Sequence, residues 1–139
     1  MAATNQEQFE VLAAEANYHQ RYAQDIQNQM QALNQVEAEM DRTLQALGAL
    51  KDGNTSMFNI GSGVFVTGEL KSVNRLLLNV GANVLVEKDV PGATAFLEEK
   101  KRELSAARQE LLQSMHAISS RLKEIDSEAR RLLQDEKSE

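Results

Sequence analysis

From Phe9 to Leu47 one side of the sequence is marked on alternating three- and four-residue steps: Phe9, Leu12, Ala16, His19, Ala23, Ile26, Met30, Leu33, Glu37, Met40, Leu44 and Leu47. Ten of these twelve are apolar, and the spacing holds over more than five heptads. Only a helix brings residues so spaced onto one side, and a stripe of this kind has to be covered by another helix. The same chain supplies one. Leu97, Leu104, Leu111, Ile118, Ile125 and Leu132 recur every seven residues, with Lys101, Arg108, Met115, Leu122 and Ala129 between them.

The two seams predict helices over 5–51 and 89–135, each roughly 65–70 Å long at 1.5 Å per residue. "KDGN" at 51–54 ends the first, and Asp89 with Pro91 opens the second as cap and first-turn proline. Equal lengths joined by a short insert fold back most simply as an antiparallel coil. Phe9 is then expected near Leu132, Ile26 near Met115, and Leu47 near the start of the second helix. Glu37 is expected opposite the Lys101–Arg108 stretch, so that the charges in the two seams offset one another. At 139 residues the chain is one domain's worth, taken as a single unit over 1–139.

The insert over 52–88 writes one short pattern twice, as "NIGSGVFV" (59–66) and "NVGANVLV" (79–86). Strands are expected near 55–60, 63–71, 75–81 and 83–88, with turns at Gly61-Ser62, Ser72–Asn74 and Gly81–Asn83. Apolar residues fall on both faces of these strands, as in strands covered on both sides. Two small hairpins cannot build such a core alone, and their open edges invite pairing with another chain. The insert is therefore expected to belong to a larger sheet or barrel completed by other subunits. The fold class predicted is α+β: a long antiparallel coiled-coil α-hairpin with two β-hairpins inserted between its helices, the β region forming part of an oligomeric barrel.

Composition narrows the chemistry. The net charge is −6 and there is no cysteine, so a basic footprint for nucleic acid or anionic lipid, a disulfide framework and a thiolate site are all missing. "MAATNQEQFE" lacks the apolar core of a signal peptide and no stretch is long enough to span a membrane, so the cytoplasm is the expected compartment. Aromatics make up only 4% of the chain, which suits seams of medium aliphatics. His19 falls on the seam, where a polar residue sets register, and His116 is expected on a solvated helix face; neither has a second ligand at helical spacing, so no metal is expected. "GSGVFVTG" has part of a phosphate-loop outline, but Val66 stands where the third glycine is needed and a strand follows it. No catalytic residue, cofactor or enzymatic activity is expected.

The open end of the coil carries apolar residues beyond the seam. With Phe9 at heptad position a, Val11 and Tyr18 share position c and Tyr22 lies four residues past Tyr18, while Leu133 adjoins the seam residue Leu132. Such residues can extend the packing or bind a sister helix. Together they make the tip more apolar than a monomeric coil requires, and apolar tips suit partners that share only hydrophobicity.

The order helix, two β-hairpins, helix, with "GSGVFVTGEL" in one hairpin and "NVGANVLVEKDVPGATAFL" leading into the second helix, resembles the prefoldin family over about Phe9 to Leu133. The duplicated hairpin resembles its alpha class, the archaeal forms most closely. The resemblance implies an ATP-independent holdase in which two alpha and four beta subunits form a β-barrel platform bearing six coiled-coil arms. It implies unfolded client proteins held at the arm tips and passed to a group II chaperonin. It places assembly on Val64, Phe65, Val66, Leu76, Leu78, Val80, Val84 and Val86, and client contact on Phe9, Val11, Leu12, Tyr18, Tyr22, Leu132 and Leu133. A structural coiled-coil scaffold or adaptor binding one fixed protein partner is the alternative that the same seams allow.

Overall fold

The computed structural model describes residues 4–138. Helix α1 (Asn5–Ala49) is followed by strands β1 (Thr55–Gly61), β2 (Val64–Glu69), β3 (Leu76–Asn79) and β4 (Leu85–Lys88), and then by helix α2 (Val90–Ser138). The chain divides into two compact units, one made of the residues up to Gln35 with those from Ser105 onward, the other of Val36–Leu104.

The first unit is a two-helix coil. Leu12, Ile26, Ile118 and Ile125 are buried, Ile26 almost completely at 1% exposure. All are seam positions, as the heptad spacing requires. The helices run antiparallel: Glu15 of α1 meets Arg121 of α2, whereas Asn34, further along α1, meets Arg108, earlier on α2. Thr4 and Glu7 close the start of α1 reciprocally. The Glu7 N–H donates to Thr4 Oγ1 and the Thr4 N–H to a Glu7 carboxylate oxygen, both at 3.2 Å, which satisfies two amide donors that a helix start otherwise leaves open.

In the second unit the remaining turns of α1 lie beside the first turns of α2. Lys101 donates to Asp41 across the two helices. The seam cation is thus met by Asp41, and Glu37 adds its charge from one turn away. Helix α1 stops at Ala49, two residues before the expected end. Helix α2 begins at Val90, its cap being Asp89, whose carboxylate accepts the Gly92 N–H at 2.8 Å.

The β segment forms two separate antiparallel hairpins, β1 with β2 and β3 with β4. Phe58 pairs with Val66, and Leu78 with Val86. Their turns are near copies. Gly61, Ser62 and Gly63 have φ of 115°, 49° and 76°, and Gly81, Ala82 and Asn83 have 120°, 49° and 60°. In each, the asparagine two residues before the first glycine accepts that glycine's N–H, Asn59 at 2.8 Å and Asn79 at 2.9 Å. In both turns the two central residues, Ser62-Gly63 and Ala82-Asn83, have positive φ, as two-residue hairpin turns of the primed kind require, so the first turn sits one residue later than Gly61-Ser62. Strands β2, β3 and β4 are shorter than expected, 64–69 rather than 63–71, 76–79 rather than 75–81, and 85–88 rather than 83–88, while β1 runs one residue longer, to Gly61. Val80 and Val84 therefore belong to the turn, where the Val80 N–H donates to the Val84 carbonyl at 3.0 Å.

Candidate functional site

Two apolar surfaces stand out, one in each unit. In the β unit Val64, Phe65, Val66, Val80 and Val84 are exposed, while Leu76, Leu78 and Val86 are half-buried. Met57, Phe58, Ile60, Leu77 and Leu85 join the exposed set, with Met57 and Leu77 the most open at 71%. These five were not singled out by sequence, because a strand with apolar residues on both faces does not reveal which face stays uncovered. In the first hairpin Ser56, Phe58, Val66 and Gly68 share a face through the ladder. Gly68 leaves room for the Phe58 ring, since a Cβ there would lie 3.0 Å from it. Neither face of the first hairpin carries a buried residue. Such an apolar surface favours being covered by another chain.

At the open end of the coil Phe9, Val11, Tyr18, Tyr22 and Leu133 are exposed, Val11 and Tyr18 about two-thirds so. Leu12 is turned into the seam and buried, and Leu132 is half-buried. The structure brings Phe9, Val11, Leu12, Leu132 and Leu133 together around two grooves, whereas Tyr18 and Tyr22 line neither. One, of about 420 Å³, is lined by Val11, Leu12 and Leu132 with Glu7, Glu128 and Arg131 at its edge. The other, of about 320 Å³, has Phe9, Leu132 and Leu133 with Asn5, Gln6 and Glu136. Both have apolar floors and polar edges, so they can take up aliphatic or aromatic groups without a fixed hydrogen-bonding pattern.

An ion-pair cluster ties the two helices below this end. Arg121 grips Glu15 with two nitrogens, at 2.7 and 2.9 Å, and reaches Glu124 at 3.0 Å and Glu128 at 3.5 Å. His19 lies half-buried on the seam with Nε2 3.6 Å from Glu15 and a buried Nδ1 that has no hydrogen-bond partner. The Arg121 hydrogen bond holds the Glu15 carboxyl below the usual carboxylate range, and burial opposes it. A carboxylate depressed in the folded state contributes stability above its unfolded pKa and loses that contribution as pH falls through the folded value. Glu15→Gln is therefore expected to lower the thermal midpoint at neutral pH, with the difference from wild type shrinking as the pH drops below about 4. Melting followed by circular dichroism from pH 7 to pH 3 measures this, and a difference that stays constant with pH would contradict the role given to Glu15.

Among the described residues no group of three or more His, Cys, Asp or Glu side chains could hold a metal ion, and no helix is long and apolar enough to cross a membrane.

The prefoldin subunit family model matches residues 4–135. The chain belongs to the prefoldin family. It is 31% identical over 124 residues to prefoldin subunit alpha of Thermofilum pendens, covering 87% of this chain and 96% of that one. It is 28% identical over 129 residues to prefoldin subunit alpha of Methanobrevibacter smithii, covering 91% and 88%. Among solved structures, a filamentous PFD from Methanocaldococcus jannaschii superposes with a TM-score of 0.74 at 19% identity, covering 82% of this chain and 97% of that one. The prefoldin beta subunit from Thermococcus strain KS-1 gives 0.62 at 17% identity, covering 89% and 90%. These two share the fold. The duplicated hairpin and the archaeal relatives mark an alpha subunit of the archaeal prefoldin type, a chaperone subunit that works in an oligomeric assembly.

Proposed function

We propose that this prefoldin subunit is a cytoplasmic, ATP-independent holdase. The two hairpins, through Val64, Phe65, Val66, Leu76, Leu78, Val80, Val84 and Val86, join a barrel platform made by two copies of this chain and four beta subunits. The coil ends hold unfolded proteins through Phe9, Val11, Tyr18, Tyr22, Leu132 and Leu133, with Leu12 forming the floor beneath them, and pass them to a group II chaperonin. The observation that carries the client role is the exposure of Val11, Tyr18, Tyr22 and Leu133 off the seam, together with that of the seam residue Phe9 at the open end. Several weak apolar contacts on arms sharing one platform gain effective concentration, yet each lets go quickly. A fixed-partner scaffold explains the coil equally well but not the shallow, loosely specified grooves. Light scattering of an aggregating unfolded protein, with the chain and a beta subunit together and each alone, tests the proposal. Suppression by the assembled pair, unchanged by ATP, is expected. No suppression of any unfolded protein tried would leave the scaffold reading in its place.

A further inference from the structure

Within the coil unit the two helices differ in the kind of polarity they show to water. Over 5–35 the first helix has twelve Asn or Gln and five charged residues, whereas the equally long stretch 105–135 of the second has three and ten. Six of those amides, Asn17, Gln20, Gln24, Gln27, Gln31 and Asn34, follow one another at the same three- and four-residue steps as the seam, and all six are exposed. They form an unbroken amide stripe along one flank of the seam, on α1. Heptad flanks of a coil are ordinarily charged, for solubility and pairing.

At Gln20 the stripe adjoins apolar ground. Gln20 lines a depression of about 270 Å³ with Leu12, Ala16, Ile125 and Ala129, and a second of about 380 Å³ is lined by Ala23, Met115 and Ile118. The two share Leu122 and Asp126. An amide side chain carries both donors and an acceptor and no charge. The one partner group that matches it whatever the sequence is the peptide unit itself. At 1.5 Å per residue the stripe is about 26 Å long, the length of roughly eight residues of extended chain at 3.3 Å each.

We infer that the amide stripe binds the main chain of an extended, unfolded polypeptide segment whose apolar side chains enter the adjoining depressions. The inference rests on the client-holding role proposed above and adds to it what is recognised: unpaired peptide N–H and C=O groups, the feature that distinguishes an unfolded chain from a folded one with an apolar patch. Neutrality also lets the stripe accept segments of either charge. Gln24 already donates to Asn28 at 3.2 Å, and Asn34 accepts from Arg108 at 3.0 Å. Contacts of this kind can be exchanged for peptide groups at little net cost.

The test uses the full chain assembled with a beta subunit, as wild type and with Gln20, Gln24, Gln27 and Gln31 all replaced by Ala, which favours helix. The probes are a fluorescent twelve-residue apolar peptide and the same peptide N-methylated at alternate residues, which loses main-chain donors but keeps its side chains. Binding is read by anisotropy, and the four affinities form a cycle that cancels the effect of methylation on the peptide itself. Methylation is expected to weaken binding to wild type roughly tenfold, the equivalent of one or two net hydrogen bonds, and to weaken binding to the Ala variant less than about twofold by the same reasoning. Equal losses in both proteins would overturn the inference while leaving apolar capture intact. Failure of wild type to bind either peptide would overturn the inference and the holdase reading together. A change in oligomer size of the Ala variant by light scattering would assign the stripe to pairing between copies of this chain, which also overturns it.

Discussion

Replacing both Val64 and Val66 with aspartate is expected to break the prefoldin assembly while leaving the chain's helices folded. In the single chain both side chains are about half exposed, so the new carboxylates stay hydrated and cost the monomer little. The cost arises on association, when the hairpin face is covered and two unpaired carboxylates must leave water, at several kcal/mol each. About 8 kcal/mol of lost association energy would raise a dissociation constant nearly a million-fold. Val66 pairs with Phe58 across the ladder and Gly68 leaves room for that ring. The substitutions therefore strike the apolar face of the first hairpin. Size-exclusion chromatography with light scattering, on the variant mixed with a beta subunit, should show separate subunits, and circular dichroism should show an unchanged helical signal. An intact oligomer would remove these strands from the interface. Val64→Thr with Val66→Thr, which keeps shape and β propensity, should retain most of the assembly and guards against a merely misfolded hairpin.

How far the sequence revealed this structure depends on which physical rule was in force. The seam is legible because helix geometry dictates it. In α1 every seam position from Leu12 to Leu47 is buried or half-buried, and only Phe9, at the open end, is exposed. Leu12 obeys the same rule, so its heptad position already marked it as floor and not surface. The capping pair Thr4 and Glu7 is equally plain in "TNQE", and adds a start signal that the apolar pattern lacks. The strand ends were harder. Positive φ at Ser62 and Ala82 has no signature in residue type, since neither is a preferred left-handed residue, and so the first turn falls one residue later, and three of the strands are shorter, than propensity suggests. Nor could the exposed set be separated from the half-buried one. Leu77 and Leu78 are chemically identical neighbours, yet Leu78 is half-buried while Leu77 is largely open. That difference comes from the packing of the hairpin and not from the pattern. The amide stripe, by contrast, is written openly in α1, at the same three- and four-residue steps as the seam.

The second large effect is expected at the coil's open end. Changing Phe9, Val11, Tyr18 and Leu133 together to serine should abolish suppression of client aggregation. All four are exposed in the chain, and none belongs to the unit that carries the strands. Each lost side chain removes on the order of 1–3 kcal/mol of potential burial. The loss recurs on every arm that this subunit supplies, so multivalent capture falls by far more than any single contact. The seam should survive. Of the four only Phe9 is a seam position. Leu12, Ile26, Ile118 and Ile125 remain, and serine at the four substituted positions costs only a few tenths of a kcal/mol each in helix propensity. Tyr18 needs its own control, because its ring meets His19 edge-on at 5.5 Å, and Tyr18→Gln keeps a long side chain there without the aromatic surface. The measurement is light scattering of an unfolded client with wild type and variant, each first verified as the same oligomer with the same beta subunit. Protection by the variant equal to wild type would show that the tip does not hold clients. Capture would then fall to the inner flanks of the coil, or to the beta subunits. Lost protection in a variant that still assembles would leave the apolar end of the coil as the surface that holds them.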